Sequence, residues 1–330
     1  MASKKGVHLQ RLLTILERQT DSRWGSDYMP AILATPQEAP AISRASILNS
    51  RKIGREIHLL SLAERAACLL ALYHPDLFDL HEQKMLSTTP APHPLFGYPQ
   101  VINSTDFPPH KGMIDVADRL GYLSMLPRVT AIVPENHLDK RVIIFPYVGD
   151  LLLFMNGANQ HKYCVNWNIK DKRENFKVQL VGMSKSGRIE KMNKATFARH
   201  EMEDDYYKDA GIRTLRISNE QLNAHVTANL AQLFGYHRKK LEMSTDEQQL
   251  ILSKFELALD TETKPYEVIL ALISRYAFTD HQCRAVLYQS IWNRKLRVDL
   301  FKPILIDRSL NPEARDVLVE YADWFKERPC

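Results

Sequence analysis

The sequence has few cysteines and no long apolar run. Its four cysteines, Cys68, Cys164, Cys283 and Cys330, are scattered without CxxC spacing, which indicates neither a zinc site nor a disulfide framework. No apolar stretch approaches the roughly 20 residues that a membrane helix needs. The first residues also lack the apolar core of a secretory signal. We therefore expect a cytoplasmic protein that does not bind membranes.

Histidine pairs at HxH or HxxxH spacing are absent too, so the sequence offers no histidine metal motif. The formal net charge of +5 over 330 residues is mild and does not by itself imply a nucleic-acid partner. Basic residues do cluster at 51–55, 170–177, 188–194 and 238–240. Such clusters are typical of solvated faces, and also of surfaces that neutralise phosphates.

Two apolar runs carry the most informative pattern. Asp150 begins the first run, Lys170 ends the second, and the polar turn 156–161 joins them. If the runs pair as a hairpin, Asp150 and the segment Asn168-Ile-Lys170 meet at one end of a sheet. Metal-dependent nucleases of the restriction-endonuclease type keep their chemistry at such a place.

The residue types suit phosphodiester hydrolysis. The Asp150 carboxylate supplies hard oxygen for Mg²⁺, and Mn²⁺ can substitute. Asn168 lies two residues before Lys170, so both side chains point to one face of the strand, and its amide offers a further oxygen. Lys170 can position the attacking water or stabilise charge on the phosphate. The same sequence pattern would also arise without any catalytic role, from an Asp at a turn and a solvated Lys at the end of a strand.

A predicted helix supplies another carboxylate. Ser61-Leu-Ala-Glu64 is typical of a capping box that opens a helix, and Pro75 ends that helix. Glu64 is therefore explained by capping alone, but a helical carboxylate beside the sheet could also complete a metal site. The following run, 77–83, alternates like an edge strand.

These segments together resemble the TnsA-type endonuclease subunits of heteromeric transposases. The resemblance lies in His58 to Glu64, Asp79 to Gln83, Gly149-Asp150 with Asn168 to Lys170, and Ala210 to Asn223, in that order within residues 51–235. It implies a catalytic set of Glu64, Asp150, Asn168 and Lys170, of which the first three would hold metal. Asn168 stands where the family has Gln.

The resemblance also implies a function and partners. The chain would be a Mg²⁺-dependent endonuclease that cuts the 5′-end strand at transposon ends during cut-and-paste DNA transposition. It would work in a bacterial cytoplasm, at the nucleoid when bound to double-stranded DNA, with a TnsB-like DDE transposase and a TnsC-like AAA+ regulator. Two alternatives stay open: an architectural subunit with weakened chemistry, and a stand-alone restriction-type or repair nuclease.

The predicted fold class is α/β, in three parts. Residues 1–50 form an arm with a short helix over 7–17, and 51–237 form a restriction-endonuclease-like domain of the PD-(D/E)xK type with a central mixed sheet. That domain carries an insertion around 87–140. Its later elements are a strand at 176–182, helices at 194–210 and 218–234, and a strand at 211–218. The acidic run 201–205 is interpreted as a solvated face.

Residues 238–330 are predicted as an α-rich winged-helix domain. Helices over 241–259, 265–276 and 280–294 precede two wing strands, 295–300 and 303–307, and a C-terminal helix begins at Asn311. The helix before the wing would enter the major groove, although many winged helices bind protein instead. The candidate DNA-binding residues are Lys172, Arg173, Arg284, Gln289, Asn293 and Arg294.

Overall fold

The computed structural model describes residues 9–40, 44–99, 101, 107–133, 136–176 and 186–328. The chain divides into two compact units. The first comprises Met1–Arg65, Asp76–Glu220 and Phe325–Cys330, and the second comprises Ala66–Pro75 and Gln221–Trp324. No helix in the described part of the chain is long and apolar enough to cross a membrane.

The first unit is a mixed α/β structure. Its strands are β1 (Ser46–Ser50), β2 (Arg55–Leu59), β3 (Leu77–Glu82), β4 (Arg128–Val133), β5 (Asn136–Ile144), β6 (Leu151–Asn156), β7 (Lys162–Lys170) and β8 (Arg213–Ser218). Its helices are α1 (Leu9–Gln19), the start of α2 (Leu62–Tyr73), α3 (Met113–Arg119) and α4 (Ser186–Asp209).

The central sheet has the order β3-β6-β7-β8. The β3–β6 and β6–β7 pairs are antiparallel, whereas β7 and β8 run parallel. The predicted hairpin is confirmed, with Leu151 opposite Trp167 and Asn156 opposite Lys162. Residues 151–155 and 164–169 are all buried, because these strands occupy the middle of the described sheet.

Elements α1, α2, β3, β6, β7 and β8 confirm the predictions within a few residues, whereas α4 begins eight residues before the predicted position 194 and the β1–β2 hairpin was not predicted. The α2 helix begins after Ser61 and ends before Pro75, and β8 lies within the predicted strand. The insertion holds α3 and also β4, whose hairpin with β5 was not predicted. The predicted strand at 176–182 falls mostly outside the described residues.

The second unit is helical, with α5 (Ala224–Phe234), α6 (Thr245–Asp260), α7 (Pro265–Tyr276), α8 (Asp280–Trp292), α9 (Val317–Glu320) and α10 (Ala322–Phe325). The three predicted helices correspond to α6, α7 and α8, and the caps Ser244 and Thr279 both form capping boxes. The helix predicted over 218–234 begins at Ala224, because Asn223 is its cap. The C-terminal helix begins later than predicted, because Asp316 rather than Asn311 is its cap.

The predicted wing is wrong. Residues 295–307 form turns, with one isolated bridge between Val298 and Pro312, and contain no strand. The Asn229 side chain of α5 explains this, because its Nδ2 donates to the carbonyls of Leu300 and Lys302 while its Oδ1 accepts from the Ile304 amide. These backbone groups therefore pair with a helix side chain instead of with each other.

Candidate active site

Asp150 and Lys170 meet at one end of the central sheet. Asp150 directly precedes β6, and Lys170 is the last residue of β7. The Lys170 Nζ lies 3.2 Å from Asp150 Oδ2, which also accepts the Ile169 amide at 2.6 Å. Their side chains are 26% and 15% exposed, so the pair remains open to solvent. The structure thus brings together the two residues that the hairpin was expected to join.

Glu64 lies in the first turn of α2, where the local sequence fixes its side chain. Its Oε2 accepts the Leu60 amide at 2.8 Å, and its Oε1 accepts the Ser61 hydroxyl at 2.9 Å. The Glu64 amide donates in turn to the Ser61 hydroxyl. The capping interpretation of Glu64 is therefore confirmed, although the carboxylate bonds Leu60 rather than the Ser61 amide.

Glu64 is also electrostatically part of the Asp150 site. Burial raises the pKa of Glu64 to about 7, and the Asp150 charge adds to this rise. The Leu60 and Ser61 hydrogen bonds and the Lys170 charge act in the opposite direction on this pKa. The capped carboxylate and the sheet-end pair thus belong to one cluster, and a cation added there would favour the ionised form of Glu64.

Gln83 connects Glu64 to Asp150, a role that the sequence did not reveal. This residue follows β3 in a left-handed conformation with φ of 49°. Its amide donates to the Asp150 carbonyl at 3.0 Å, and its Nε2 donates to Glu64 Oε2 at 3.0 Å. A Gln directly after a strand, with positive φ, is an unusual arrangement outside turns. No local sequence pattern predicts that backbone geometry.

Asn168 is buried in β7, and its side chain contacts two residues of α4. Its Nδ2 donates to Glu203 Oε2 at 2.7 Å and lies 3.0 Å from His200 Nδ1. Asn166, two residues earlier on the same face of β7, donates to Glu203 Oε1 at 3.1 Å. The Glu203 carboxylate therefore accepts hydrogen bonds from both asparagine side chains. These bonds explain how two Asn residues can be buried in this strand.

Glu203 corrects the interpretation of the acidic run. It is 2% exposed, and burial together with the Asp150 charge raises its pKa to about 6. Ala198, Met202 and Tyr206 of α4 are buried as well, so this face of the helix packs inward and carries Glu203 with it. Asp204 and Asp205 remain partly exposed and pair with arginines. The sequence signal was the helical spacing of Glu203 with those apolar neighbours.

The donor set suits a hard divalent cation. Glu64, Asp150 and Asn168 would supply two carboxylates and an amide oxygen, which are typical Mg²⁺ ligands. Asn168 Oδ1 is buried, and no described group forms a hydrogen bond with it. Within the described residues no three Asp, Glu, His or Cys side chains form a ready metal cluster. A metal here would therefore rely on the amide as its third protein ligand.

His200 is the second buried residue of α4 that contacts the Asn168 side chain. Burial, with the charges of Lys170 and Arg199, lowers the pKa of His200 to about 4, so the ring is neutral near pH 7. A neutral ring can accept the Asn168 amide at Nδ1 and must then carry its proton on Nε2. The Asn168 Nδ2 thus donates to two acceptors on α4, and the amide oxygen points away from that helix.

The predicted DNA-binding residues lie in two places. Lys172 and Arg173 are exposed in the turn after β7, next to the site. In the second unit, Arg284 pairs with Asp280, Arg294 pairs with Asp316, and Gln289 donates to the carbonyls of Tyr236 and Lys239. Asn293 caps α8 and is exposed. Lys172 and Arg173 are therefore the exposed basic residues of the set, and the Lys172 ammonium lies 3.9 Å from the Glu174 carboxylate.

Comparison with known proteins adds no family to this description. No family model matches the chain, and no curated protein matches it.

Proposed function

We propose that this chain is a Mg²⁺-dependent DNA endonuclease with a restriction-endonuclease-like catalytic domain. The observation that carries the proposal is the meeting of Asp150 and Lys170 at the end of the β6–β7 hairpin, near enough to Glu64 for the Asp150 charge to raise the Glu64 pKa. A carboxylate pair beside a lysine at a sheet end is an arrangement that serves hydrolysis of a phosphodiester.

Each side chain has a distinct task in the proposed reaction. A bound Mg²⁺ would polarise the scissile phosphate and favour deprotonation of the attacking water. Glu64, Asp150 and the Asn168 oxygen would hold it. Lys170, fixed by Asp150 Oδ2 and the Ile169 carbonyl at 3.0 Å, would place a positive charge beside the phosphate as negative charge builds. Gln83 and Glu203 would orient the ligands without contacting the substrate.

The biological setting follows from the resemblance to TnsA-type subunits. In that setting the chain would cut the 5′-end strand at transposon ends, with a TnsB-like transposase cutting the other strand and a TnsC-like regulator controlling both. The second unit would contribute contacts to DNA or to these partners. The order of the resembling segments along β3, β6, β7 and β8 supports this assignment, because they form consecutive parts of one sheet.

One observation favours the architectural alternative. The described site lacks a third acidic ligand, since Asn168 is neutral and Glu203 already accepts two amides. A site with two carboxylate ligands binds divalent cations less strongly than a site with three. An architectural subunit would retain the fold and the DNA contacts while the partner alone performs chemistry.

The test is strand-specific cleavage of labelled transposon-end DNA in the presence of the partner transposase. We expect Mg²⁺- or Mn²⁺-dependent cutting of the 5′-end strand by the wild type, and background cutting by Asp150→Ala. Asp246→Ala, which removes an exposed carboxylate in α6, serves as the matched control and should cut normally.

Two other outcomes would redirect the assignment. If the 5′-end strand stays intact with wild type while the transposase cuts its own strand, the architectural alternative replaces the nuclease. If the wild type cuts other duplexes strongly without any partner, the stand-alone nuclease replaces the transposase subunit. Thermal melting of Asp150→Ala establishes that its loss of cutting is not a loss of fold.

A further inference from the structure

The first unit contains a cavity of about 300 Å³ that the proposed hydrolysis does not use. It lies between α1, the chain after β3, and α4. Its wall includes Trp24, His81, Lys84, His110, Leu152 and Tyr207. The volume is at the lower end of the range for small-molecule sites.

Lys84 gives this cavity a positive charge without a counter-ion. Among the residues that the structure describes, no carboxylate lies within ion-pair distance of its ammonium, and the centroid of the Tyr28 ring lies 5.8 Å from Nζ. Burial alone lowers the pKa of Lys84 to about 8. A partly buried cation usually has an anionic partner, so an anion in the cavity would stabilise its charged form.

Two buried polar side chains on the same wall also lack hydrogen-bond partners among the described residues, although His81 lies within ion-pair distance of Asp79. His81 is 2% exposed, and neither ring nitrogen forms a hydrogen bond with a described residue. The Asp79 carboxylate lies 3.7 Å from His81 Nε2, beyond hydrogen-bond distance. Tyr207 is 1% exposed, and its hydroxyl has no partner in the described chain. Buried polar groups are normally satisfied, so these donors point to a ligand.

Part of the remaining wall is apolar, although Gln19, Arg23 and Thr88 also line the cavity. Trp24, Met85 and Leu152 line the cavity together with several prolines of the segment 90–94. The Trp24 indole is fixed, since its Nε1 donates to the Pro94 carbonyl at 2.8 Å. A ligand that fits both kinds of wall has an anionic head and an apolar body.

We propose that this cavity binds a small organic anion, with its phosphate or carboxylate group at Lys84, His81 and Tyr207 and its apolar body against Trp24 and Leu152. The site is distinct from the candidate active site, because the Gln83 side chain contacts Glu64 whereas the adjacent Lys84 side chain lines the cavity. The proposal therefore does not depend on nuclease activity.

The experiment uses the full chain and three probes that share one ring: phenyl phosphate, benzoate and phenol. At 10 mM, we expect phenyl phosphate or benzoate to raise the melting temperature by about 3 °C, as a millimolar ligand would, and phenol to leave it unchanged. Isothermal titration of the same probes gives the affinity. A response to phenyl phosphate alone identifies a phosphate head, and a response to benzoate alone a carboxylate head.

Two variants connect binding to the cavity. Lys84→Met should abolish the shift, whereas Lys208→Met, which removes an exposed lysine of α4, should retain it. Leu152→Phe, which fills the apolar wall, should weaken binding of both anions while leaving Lys84 in place. The proposal is overturned if neither anion binds the wild type, or if Lys84→Met binds as tightly as the wild type.

Discussion

At the scale of single residues, Glu203 decides which way the Asn168 amide faces. Turning that amide round would place Asn168 Oδ1 against the Glu203 carboxylate at the 2.7 Å now spanned by a hydrogen bond. Two acceptors at that distance repel, so the amide oxygen stays on the side away from α4. Asn168 can therefore serve as a neutral metal ligand only while Glu203 and His200 hold its nitrogen.

Replacing Glu203 by Leu should weaken metal binding at the proposed site, although Glu203 is not itself a proposed metal ligand. We expect the Mg²⁺ concentration for half-maximal cleavage to rise about 10- to 100-fold, the usual effect of losing a group that orients a ligand. Glu203→Gln should be milder, because Asn166 can turn its unpaired Oδ1 toward the new amide. Metal titration calorimetry supplies a readout that does not depend on cutting.

Glu201→Gln is the control for this prediction, since it alters a partly buried carboxylate on the same helix that contacts Tyr122 instead. An unchanged metal affinity in Glu203→Leu, beside a weakened one in Asn168→Ala, would show that Glu203 does not orient the amide.

Glu64 should make folding stability depend on pH. Its pKa is about 7 in the folded protein, above the ordinary glutamate value of 4.5, so the native state binds the extra proton between these pH values. Stability from this group is complete below pH 4.5 and is lost as the pH rises through 7, by up to about 3 kcal/mol. Glu64→Gln should therefore equal the wild type near pH 4 and exceed it near pH 8.

Urea unfolding of the metal-free protein across this pH range measures the difference. Glu174→Gln, at an exposed carboxylate, should show no pH-dependent difference from the wild type. If the difference in free energy of unfolding between Glu64→Gln and the wild type stays constant from pH 4 to pH 8, burial does not raise the Glu64 pKa as proposed.

At the scale of elements, the sequence predicted what depends on local pattern. The β6–β7 hairpin followed from two apolar runs and a polar turn, and α2 followed from the Ser61 cap and Pro75. The wing failed because its alternating residues 296, 298 and 300 are buried against helices, while Asn229 takes the backbone bonds. Hydrogen bonds to a residue 71 to 75 positions away in sequence leave no periodic pattern.

The same distinction holds within the candidate site. The sequence named Glu64, Asp150, Asn168 and Lys170, and the structure places the carboxylates and the lysine together. The supporting residues Gln83 and Glu203 escaped prediction, because their roles come from a left-handed backbone and from the packing face of a helix. Candidate metal ligands can be predicted from their residue types in the sequence. The residues that orient them can be identified only from their positions in the folded structure.

Gly112 should be indispensable to the start of α3. It precedes the helix with φ of 96°, and a Cβ there would lie 2.5 Å from the Thr89 carbonyl carbon and 2.7 Å from its oxygen. Backbone atoms cannot move aside as a flexible side chain would. We expect Gly112→Ala to destabilise the first unit by about 3 kcal/mol or more, from strain and collision together.

Gly121→Ala is the matched control, with φ of 73° and nothing within 4 Å of the added Cβ. It should cost only about 1 kcal/mol, the strain of a left-handed alanine. Chemical denaturation of both variants measures the two costs. Equal costs would mean that the approach of Thr89 does not constrain Gly112.

At the scale of the whole molecule, the chain passes from one unit to the other within a single helix. Glu64, in the first turn of α2, belongs to the first unit, but residues from Ala66 belong to the second. There the Tyr73 ring packs edge-on against Trp292 at 5.5 Å, and Arg294 lies 5.4 Å above the same ring. The segment 66–75 therefore depends on residues more than 200 positions later.

This connectivity predicts that the first unit cannot be isolated by ending the chain at residue 220. A fragment of residues 1–220 would leave Leu69, Leu72 and Tyr73 exposed, although each is at most 5% exposed in the full chain. We expect most of this fragment to aggregate or to bind a hydrophobic dye. Co-expression with residues 221–330 should return it to the soluble fraction, because the second unit is then complete. A soluble 1–220 fragment that unfolds cooperatively by itself would show that α2 does not need the later helices, and the effects of Glu64 substitutions could then be measured without them.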